Sequence, residues 1–463
     1  MFGADIPVVK KDSINTTKII KTNGMENSRH VSVWSDSVKI KSFPRLEGDR
    51  DTGVLVVGGG MAGLLCARLL RDAGVDCILA EAKTIGGGVT ANTTAKITAQ
   101  HGLIYHQLAK SAGAERARMY YEANRLALRK FMDMGAGVAC GLEVRPSYVY
   151  SLHDRRAIEN ETAAAVRLGC PAAFVDRIPL PFDVAGAVRF DDQAQFNPLR
   201  FIAGIVDGLT IYESTFVRGI KGRTAITDRG SVTAQKIVIA THFPLINTRG
   251  LYFLKMYQHR SYVVALEGAP DVGGMYLEEK ADGLSLRNDG NLLLVGGGDH
   301  RTGRRGGNWG VLRDFTRNTW PGAIERYAWA TQDCVTLDNV PYIGYYSRHT
   351  PDWYVAAGFN KWGMTGGMAA AMMLTDLITG KRNDVAAVFS PSRNMLRPRL
   401  AANGCAAAAN LLTPTAKRCP HMGCALKWNR AELTWDCPCH GSRFDRRGAL
   451  IDNPAKRGLK IRK

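Results

Sequence analysis

Residues 419 to 445 read CPHMGCALKWNRAELTWDCPCHGSRFD, with Cys419 and His421 spaced C-x-H, Cys437 and His440 spaced C-x-x-H, and an additional cysteine in each box, Cys424 and Cys439. Two thiolates and two imidazoles on paired loops are the donor set of a metal site. Zinc modules usually group like ligands as C-x2-C and H-x3-H, whereas each box here mixes one of each. Haem attachment needs C-x-x-C-H, and the second box reads C-P-C-H. That leaves a [2Fe-2S] centre with two cysteines on one iron and two histidines on the other. The other six of the ten cysteines, Cys66, Cys77, Cys140, Cys170, Cys334 and Cys405, lie in apolar or small-residue contexts and read as buried free thiols.

A second chemical signal stands near the start. In GGGMAG the pattern G-x-G-x-x-G falls on Gly58, Gly60 and Gly63, after an apolar run of strand length and before an amphipathic stretch, and the next apolar run closes on Glu81. Gly58 permits the tight turn, Gly60 lets backbone approach a pyrophosphate, and Gly63 lets helix and strand pack closely. The helix N-terminus supplies amide donors to phosphates, and Glu81 can accept from ribose hydroxyls. The later VGGGDHRTG (295–303) has Arg301 where a third glycine belongs and is not a second fingerprint. One such site followed by a long strand-rich insertion suits FAD better than a pyridine nucleotide.

These two sites need elements to position them. Residues 52–82 predict a strand, helix, strand unit that opens a doubly wound sheet, and residues 106–134 have helical spacing. Short apolar or β-branched runs at 146–151, 186–190, 215–220, 235–241, 260–266, 292–296 and 353–357 predict strands, and 367–379 predicts a helix. Residues 1–50 lack a clear period and read as an extension on the surface. Between about 392 and Cys419 lie only some 26 residues, rich in alanine, which read as a linker (393–418). The remaining 419–463 segment has too little core to stand alone, so its cluster and docking on the rest must hold it.

From about 50 to 390 the chain resembles the FAD-dependent amino-acid and amine oxidoreductases of the D-amino-acid oxidase type. The resemblance rests on GGGMAG, Glu81, the loop GGGVTANTTAKITAQHG (86–102), the strand KIVIATHFP (236–244), and TLDNVPYIGYY with YVAAGFNKWGMTGG near the end. It implies an α/β fold: a Rossmann-like, doubly wound FAD-binding domain (51–392; FAD-binding parts about 51–135, 186–245 and 335–385) with an inserted antiparallel-sheet substrate domain (about 136–185 and 250–334). It also implies that Val217 lies by the adenine, Ala240 and Thr241 near the pyrophosphate, and Gly358, Gly363 and Met364 where the last helix faces the flavin. The tail resembles a reduced Rieske [2Fe-2S] domain, a small all-β and loop lobe. By that resemblance Cys419 and Cys437 ligate one iron, His421 and His440 the other, and Cys424 pairs with Cys439 in a disulfide. Ser442 falls where a Rieske hydroxyl raises the potential, while Phe444 replaces the tyrosine of high-potential members, so an intermediate potential is expected. DNPA (452–455) stands in for the third, proline-containing loop, with Asn453 in place of glycine.

On the substrate side, Lys361 and Lys96 are candidates to face the flavin, with Lys361 nearer the flavin-facing helix. Tyr148, Tyr150, Tyr262 and Arg287 lie in the inserted domain, Arg260 or Arg287 is a candidate carboxylate clamp, and His101 and His300 are candidate acid–base groups or covalent flavin links. Of these, Lys361, Arg287, Tyr262 and His101 are the expected catalytic residues.

The chain has 463 residues and a formal charge of +19, from 61 Lys and Arg against 42 Asp and Glu, but its basic residues are scattered and no basic helix with interleaved aromatics suggests nucleic acid. The sequence shows neither an apolar run of transmembrane length nor a signal-peptide pattern, which predicts a cytoplasmic protein and leaves peripheral membrane contact open. The function expected is a dehydrogenase: a small amine or amino-acid-like substrate reduces the flavin, and electrons leave singly through the cluster to an external acceptor such as a ferredoxin or quinone. Two rivals stay open, a reductase with the flow reversed and a redox carrier or sensor without a small substrate.

Overall fold

The computed structural model describes residues 28–246, 249–395, 398–415 and 417–460. Four consecutive apolar residues, Val54 to Val57, are buried in the strand Arg50–Val57, because both faces of the sheet are covered: Val54 and Val56 pack in one core cluster with the long helices, and Leu55 and Val57 in a second cluster on the other face. This strand lies between parallel partners Cys77–Ala80 and Ser231–Ile239. The eight-stranded sheet continues through Thr210–Tyr212 on one side and Thr350–Ala357 with antiparallel Tyr342–Ser347 on the other. The helices Met61–Asp72 and Gly363–Ile378 pack so closely that a Cβ on Gly367 would stand 3.4 Å from the Ala62 backbone.

A nine-stranded, largely antiparallel sheet forms a roof beside it, running from Ile324–Thr336 through Met256–Glu267, Leu292–Arg301, Ser285–Asp289, Met275–Glu278 and Glu143–Ser151 to Gly186–Gln195 and Lys96–Ile97. The strand Gly186–Gln195, expected in the FAD-binding part, belongs to this roof. The predicted 106–134 helix is two helices, Ile104–Ala112 and Ala114–Ala136, broken at Gly113, whose φ of +93° no ordinary helical residue adopts. Of the predicted 215–220 strand only Gly219–Lys221 forms, in a short hairpin.

Two segments expected to be peripheral are built in. The described part of the N-terminal extension carries a short helix, Val33–Ser37, whose Trp34 is fully buried and donates from Nε1 to the Thr93 carbonyl at 2.7 Å. Residues 1–27 lie outside the described part. The expected linker contains a helix, Pro398–Leu412, tied down by Asn403, which donates to Leu254 O at 2.9 Å and accepts from Arg301 at 2.7 Å. No described helix is long and apolar enough to cross a membrane.

The tail forms a four-stranded antiparallel sheet: Lys427–Asn429, Thr434–Asp436, Arg443–Asp445 and Leu450–Asp452. Its buried apolar cluster is Leu426, Phe444, Ala455 and the cysteines Cys419, Cys424, Cys437 and Cys439. So few hydrocarbon side chains bury little area, and the lobe relies on docking and on what its cysteines hold. Docking is polar and buried. Arg260 of the roof donates from Nε to Glu432 at 2.9 Å, Arg443 of the lobe donates to the same carboxylate at 2.7 Å, and Arg443 also bonds Asp436 and Asp452 at 3.1 Å each. Burial alone would raise the Glu432 carboxyl, but Arg260 and Arg443 hold it below its ordinary 4.5. The stability this gives is fully present above pH 4.5 and is lost as pH falls through the depressed value.

Glu432→Gln leaves two buried guanidiniums short of counter-charge and should cost about 3–5 kcal/mol. Limited proteolysis should then release the tail before it cuts the larger domain. An unchanged cleavage order and melting temperature would show that this network does not hold the lobe.

Candidate active site and metal centre

Beyond the strand Arg50–Val57 the backbone turns at Gly58, whose φ is +112° and where a Cβ would stand 2.5 Å from the Ala240 carbonyl oxygen. A Cβ on Gly63 would meet the Gly58 carbonyl oxygen at 1.9 Å, so helix and turn touch backbone to backbone. Gly60 differs: only the Thr90 hydroxyl lies near its missing Cβ, at 3.4 Å, and its open side faces a groove. The groove has a volume of about 390 Å³ and is lined by Gly58, Gly60 and Glu81, and farther along by Val217, Ala240 and Thr241. Gly363 and Met364 line its other end, together with Asp333 and Lys361.

The helix Met61–Asp72 begins at this groove with Gly60 as a cap residue that has no side chain; its first amide, Met61 N, donates to the Thr90 hydroxyl at 3.0 Å, and a helix N-terminus facing a groove in this way can receive a pyrophosphate. Glu81 accepts from Gly59 N at 2.7 Å and Lys83 N at 2.8 Å, and burial raises its carboxyl above the ordinary value. Gly358 does not line the groove. At φ +73°, a Cβ there would collide with the Thr336 methyl at 2.4 Å, so this glycine serves packing.

A second cavity of about 210 Å³ lies under the roof and shares Val89, Thr93, Asp333, Lys361 and Met364 with the groove. Its own lining includes Lys96, Glu278 and Asp299. Lys361, at a left-handed φ of +73°, pairs with Asp299. Burial raises the Asp333 carboxyl to about 6 against the opposing charge of Lys361. Burial, reinforced by Arg287, lowers the Lys96 amine to about 7, and this amine donates to the Tyr276 carbonyl and the Ser285 hydroxyl at 2.6 Å each.

The structure divides the expected substrate-side residues. Lys361 and Lys96 reach the cavity. Tyr262 lines it, but its hydroxyl donates to Glu432 at 3.3 Å and its ring stacks on His300, so its polar end serves the lobe. Arg260 is taken by Glu432. Arg287 is buried outside the cavity over the Trp34 ring at 5.3 Å, and burial pushes it down to about 10. His101 stacks on Trp362, with one nitrogen 2.7 Å from the Tyr120 hydroxyl and the other 2.8 Å from the Thr98 carbonyl, and burial lowers it to about 3. A satisfied, neutral histidine of this kind is a structural one. Tyr148 stacks on Tyr276 in the roof core, and Tyr150 is buried there with it. Sequence reasoning missed Asp299 and Asp333; the available signal was a lone carboxylate in each of two roof strands, VGGGDH and WATQDCVT.

In the tail, the Cys419 thiol stands within hydrogen-bonding reach of Cys437 and of the Ser442 hydroxyl. The sulfurs of Cys424, Cys437 and Cys439 lie within 4.8 Å of one another, which places Cys437 between Cys419 and the other two. All four thiols are free, so the Cys424–Cys439 disulfide implied by the resemblance is not formed in this structure. The His421 and His440 rings stand 5.0 Å apart at 90°. Burial lowers His440 to about 3 and His421 to about 4, so both imidazoles are neutral with a lone pair to give. His440 Nδ1 is buried with no hydrogen-bond partner among the described residues, as suits a nitrogen that ligates a metal. Ser442 is fully buried and accepts from Ala455 N at 2.9 Å. This donor set fits a two-iron cluster held by thiolates and imidazoles.

The two sites adjoin. Residues Leu450 to Lys456 of the lobe form one wall of the groove. Lys83 donates to the Ile451 carbonyl at 3.0 Å, and the Asn453 amide donates to Thr241 O at 2.7 Å and Phe243 O at 3.3 Å.

The comparisons with known proteins agree with this geometry. Residues 53–377 match the DAO family, FAD dependent oxidoreductase, and residues 409–462 match the Rieske [2Fe-2S] domain. The "Putative Rieske 2Fe-2S iron-sulfur protein YhfW" of Bacillus subtilis (strain 168) is 32% identical over 92% of this chain and 96% of its own length. The tail alone is 46% identical, over 43 residues, to the cytochrome b6-f complex iron-sulfur subunit 2 of Trichormus variabilis, covering 9% of this chain and 24% of that subunit. Among solved structures, L-proline dehydrogenase from P. horikoshii superposes with a TM-score of 0.63 at 19% identity, over 74% of this chain and 98% of that one. Glycine oxidase from Geobacillus kaustophilus gives 0.64 at 18% identity, over 75% and 100%. With the glycine turn, the acid-closed groove and the mixed thiol–imidazole tail in place, the chain belongs to the DAO family of FAD-dependent oxidoreductases and carries, at its C-terminus, a Rieske [2Fe-2S] domain.

Proposed function

We propose that the protein is a dehydrogenase that oxidises a small amine or amino-acid-like substrate and passes the electrons through its Rieske domain to an external acceptor of the ferredoxin or quinone class. The observation that carries this reading is the charged cavity under the roof that adjoins the FAD groove at Lys361, Asp333 and Met364. A pure carrier has no use for such a cavity. Its mix of Lys96 and Lys361 with Glu278, Asp299 and Asp333 suits a substrate bearing both an amine and a carboxylate. The solved relatives named for proline and glycine act on that class.

In this reading Gly58, Gly60 and Gly63 admit the pyrophosphate, Glu81 takes the ribose, Val217 and Thr241 flank the nucleotide, and Gly363 and Met364 face the flavin. Cys419 and Cys437 hold one iron, His421 and His440 the other, and Cys424 pairs with Cys439. When bound, FAD accepts a hydride and the cluster carries one electron at a time. Lys96, neutral above about pH 7, takes the proton from the substrate ammonium, so that the free amine lone pair assists departure of the α-hydrogen and an iminium is left. Lys361, anchored by Asp299, presents its remaining N–H donors to the substrate carboxylate where the cavities meet.

An anaerobic titration with amines and amino acids tests the reading. A substrate should bleach the flavin, after which the rhombic EPR signal of the reduced centre should grow; if no member of either class bleaches it, the reading fails. The bleaching rate should rise with pH through about 7. Lys96→Met should lower that rate about 10²-fold and flatten the rise. Folding holds the Lys96 amine below its unfolded value, so stability rises with pH from about 7 toward 10.5, and Lys96→Met should raise the melting temperature at pH 6.

The residue roles are tested by composition. Gly63→Ala, whose Cβ would meet backbone at 1.9 Å, should lose FAD and fold poorly, whereas Gly60→Ala should fold and bind FAD weakly. Replacing both Cys424 and Cys439 by Ala should keep two irons per chain at lower thermal stability, and Cys437→Ala should lose them. Iron lost from the double variant but kept in Cys419→Ala would reassign the ligands to the triad whose sulfurs lie within 4.8 Å.

A further inference from the structure

The strand Ser231–Ile239, at the centre of the first sheet, ends in Ala240 and Thr241 on the groove wall and then turns through His242 and Phe243. His242 has a φ of +64°, a left-handed conformation uncommon for a residue with a side chain, and such strain concentrates at functional positions. The turn sends neighbouring side chains to different places. His242 lines the FAD groove. Phe243 is fully buried against the Rieske lobe, its ring 6.1 Å from the His440 ring and 6.5 Å from the His421 ring, edge-on to both.

His242 lines the groove close to the residues that the groove shares with the second cavity. Its ring reaches the Gln258 side chain and the backbone at Gln332, the residue before Asp333, which lines both cavities. Its Nε2 is buried and has no hydrogen-bond partner among the described residues. A buried imidazole nitrogen left unsatisfied is costly, and here it borders the space a cofactor occupies.

The lobe is also fixed over this turn. Gln258 donates to the His440 carbonyl at 2.7 Å and to Asn453 O at 3.2 Å. Gln332 donates to Gln258 at 2.7 Å and to the Gly441 carbonyl at 2.8 Å. Asn453 donates back to the carbonyls of Thr241 and Phe243, so the turn and the cluster loops form one hydrogen-bonded body.

We propose that His242 and Phe243 form the electron bridge between the FAD site and the Rieske centre, with His242 contacting the flavin and Phe243 filling the space in front of the two cluster histidines. The inference rests on the electron route given above under the proposed function. Electron tunnelling decays faster across voids than through packed atoms, and Phe243 supplies packed atoms up to both imidazoles without movement of the lobe. Two electrons leave the substrate; each crosses the bridge singly, reduces the centre by one, and is collected by a one-electron acceptor of the ferredoxin or quinone class before the next crosses.

The test uses the full chain loaded with FAD and iron, and no substrate. A laser flash reduces the flavin, and its reoxidation is timed against the appearance of the reduced-centre EPR signal in freeze-quenched samples. Phe243→Leu should keep FAD and iron content and slow the transfer at least about tenfold, while Phe243→Tyr, which keeps the ring, should transfer at the parent rate. Should the leucine variant load iron poorly, Phe243→Met fills a similar volume without the ring and reads the same step. His242→Leu should shift the flavin reduction potential and leave that of the cluster unchanged. Parent-rate transfer in fully loaded Phe243→Leu or Phe243→Met would overturn the bridge, and an unshifted flavin potential would remove His242 from it. If the parent protein itself shows no transfer from flavin to cluster, the electron route fails as a whole, an outcome distinct from failure of the bridge alone.

Discussion

Glu432 lies between Arg260 of the roof sheet and Arg443 of its own lobe, with the Tyr262 hydroxyl on one of its oxygens, and all three charged side chains are buried. None of these charges could stay buried alone, since the desolvation of a lone ion costs several kcal/mol. The network therefore fixes where the tail sits, and the architecture of both sites follows from that position. The cluster lobe has so few hydrocarbon side chains that it draws its stability from the surface it docks on. Because it docks along the roof strand Met256–Glu267, its last strand and the loop after it become one wall of the FAD groove.

This arrangement joins the two sites through buried hydrogen bonds across the boundary. The polar side chains at the boundary, Gln258, Gln332 and Asn453, bond mainly to backbone carbonyls on the opposite side. Carbonyls are present whatever the side chain, so such contacts fix distance and orientation without demanding a second matched residue. A mobile Rieske domain would need an interface that opens. Here His440 itself is packed against Phe243 and Phe253.

The cavity under the roof is governed by the same scarcity of water. His101 is buried and Lys96 and Asp333 are half-buried, and in each case desolvation disfavours the charged form. The results differ with the neighbours. His101 has acceptors and donors on both nitrogens and becomes a neutral structural post. Lys96 and Asp333 face the cavity and are left near neutrality, where a proton is gained or lost most readily.

The sequence alone determined the local chemistry. G-x-G-x-x-G between strand and helix with Glu81 at the next strand end can fold in few ways, because steric limits at Gly58 and Gly63 act between close neighbours in the chain. The tail boxes were equally legible, since each places a thiol and an imidazole within four residues of one another. What the sequence left undecided were pairings across long separations. Arg260 read as a substrate clamp and Arg287 as another; only the folded chain brings Glu432 to the first and Trp34 to the second. Trp34 and the helix Pro398–Leu412 read as extension and linker because neither shows its partner locally. Phe243 carried no sign of its neighbours, for a phenylalanine after a strand is ordinary until His421 and His440 arrive from almost two hundred residues away. Local sterics and ligand spacing are written in short stretches of sequence, whereas burial, and the charge and contact it imposes, exists only once distant segments exclude water together.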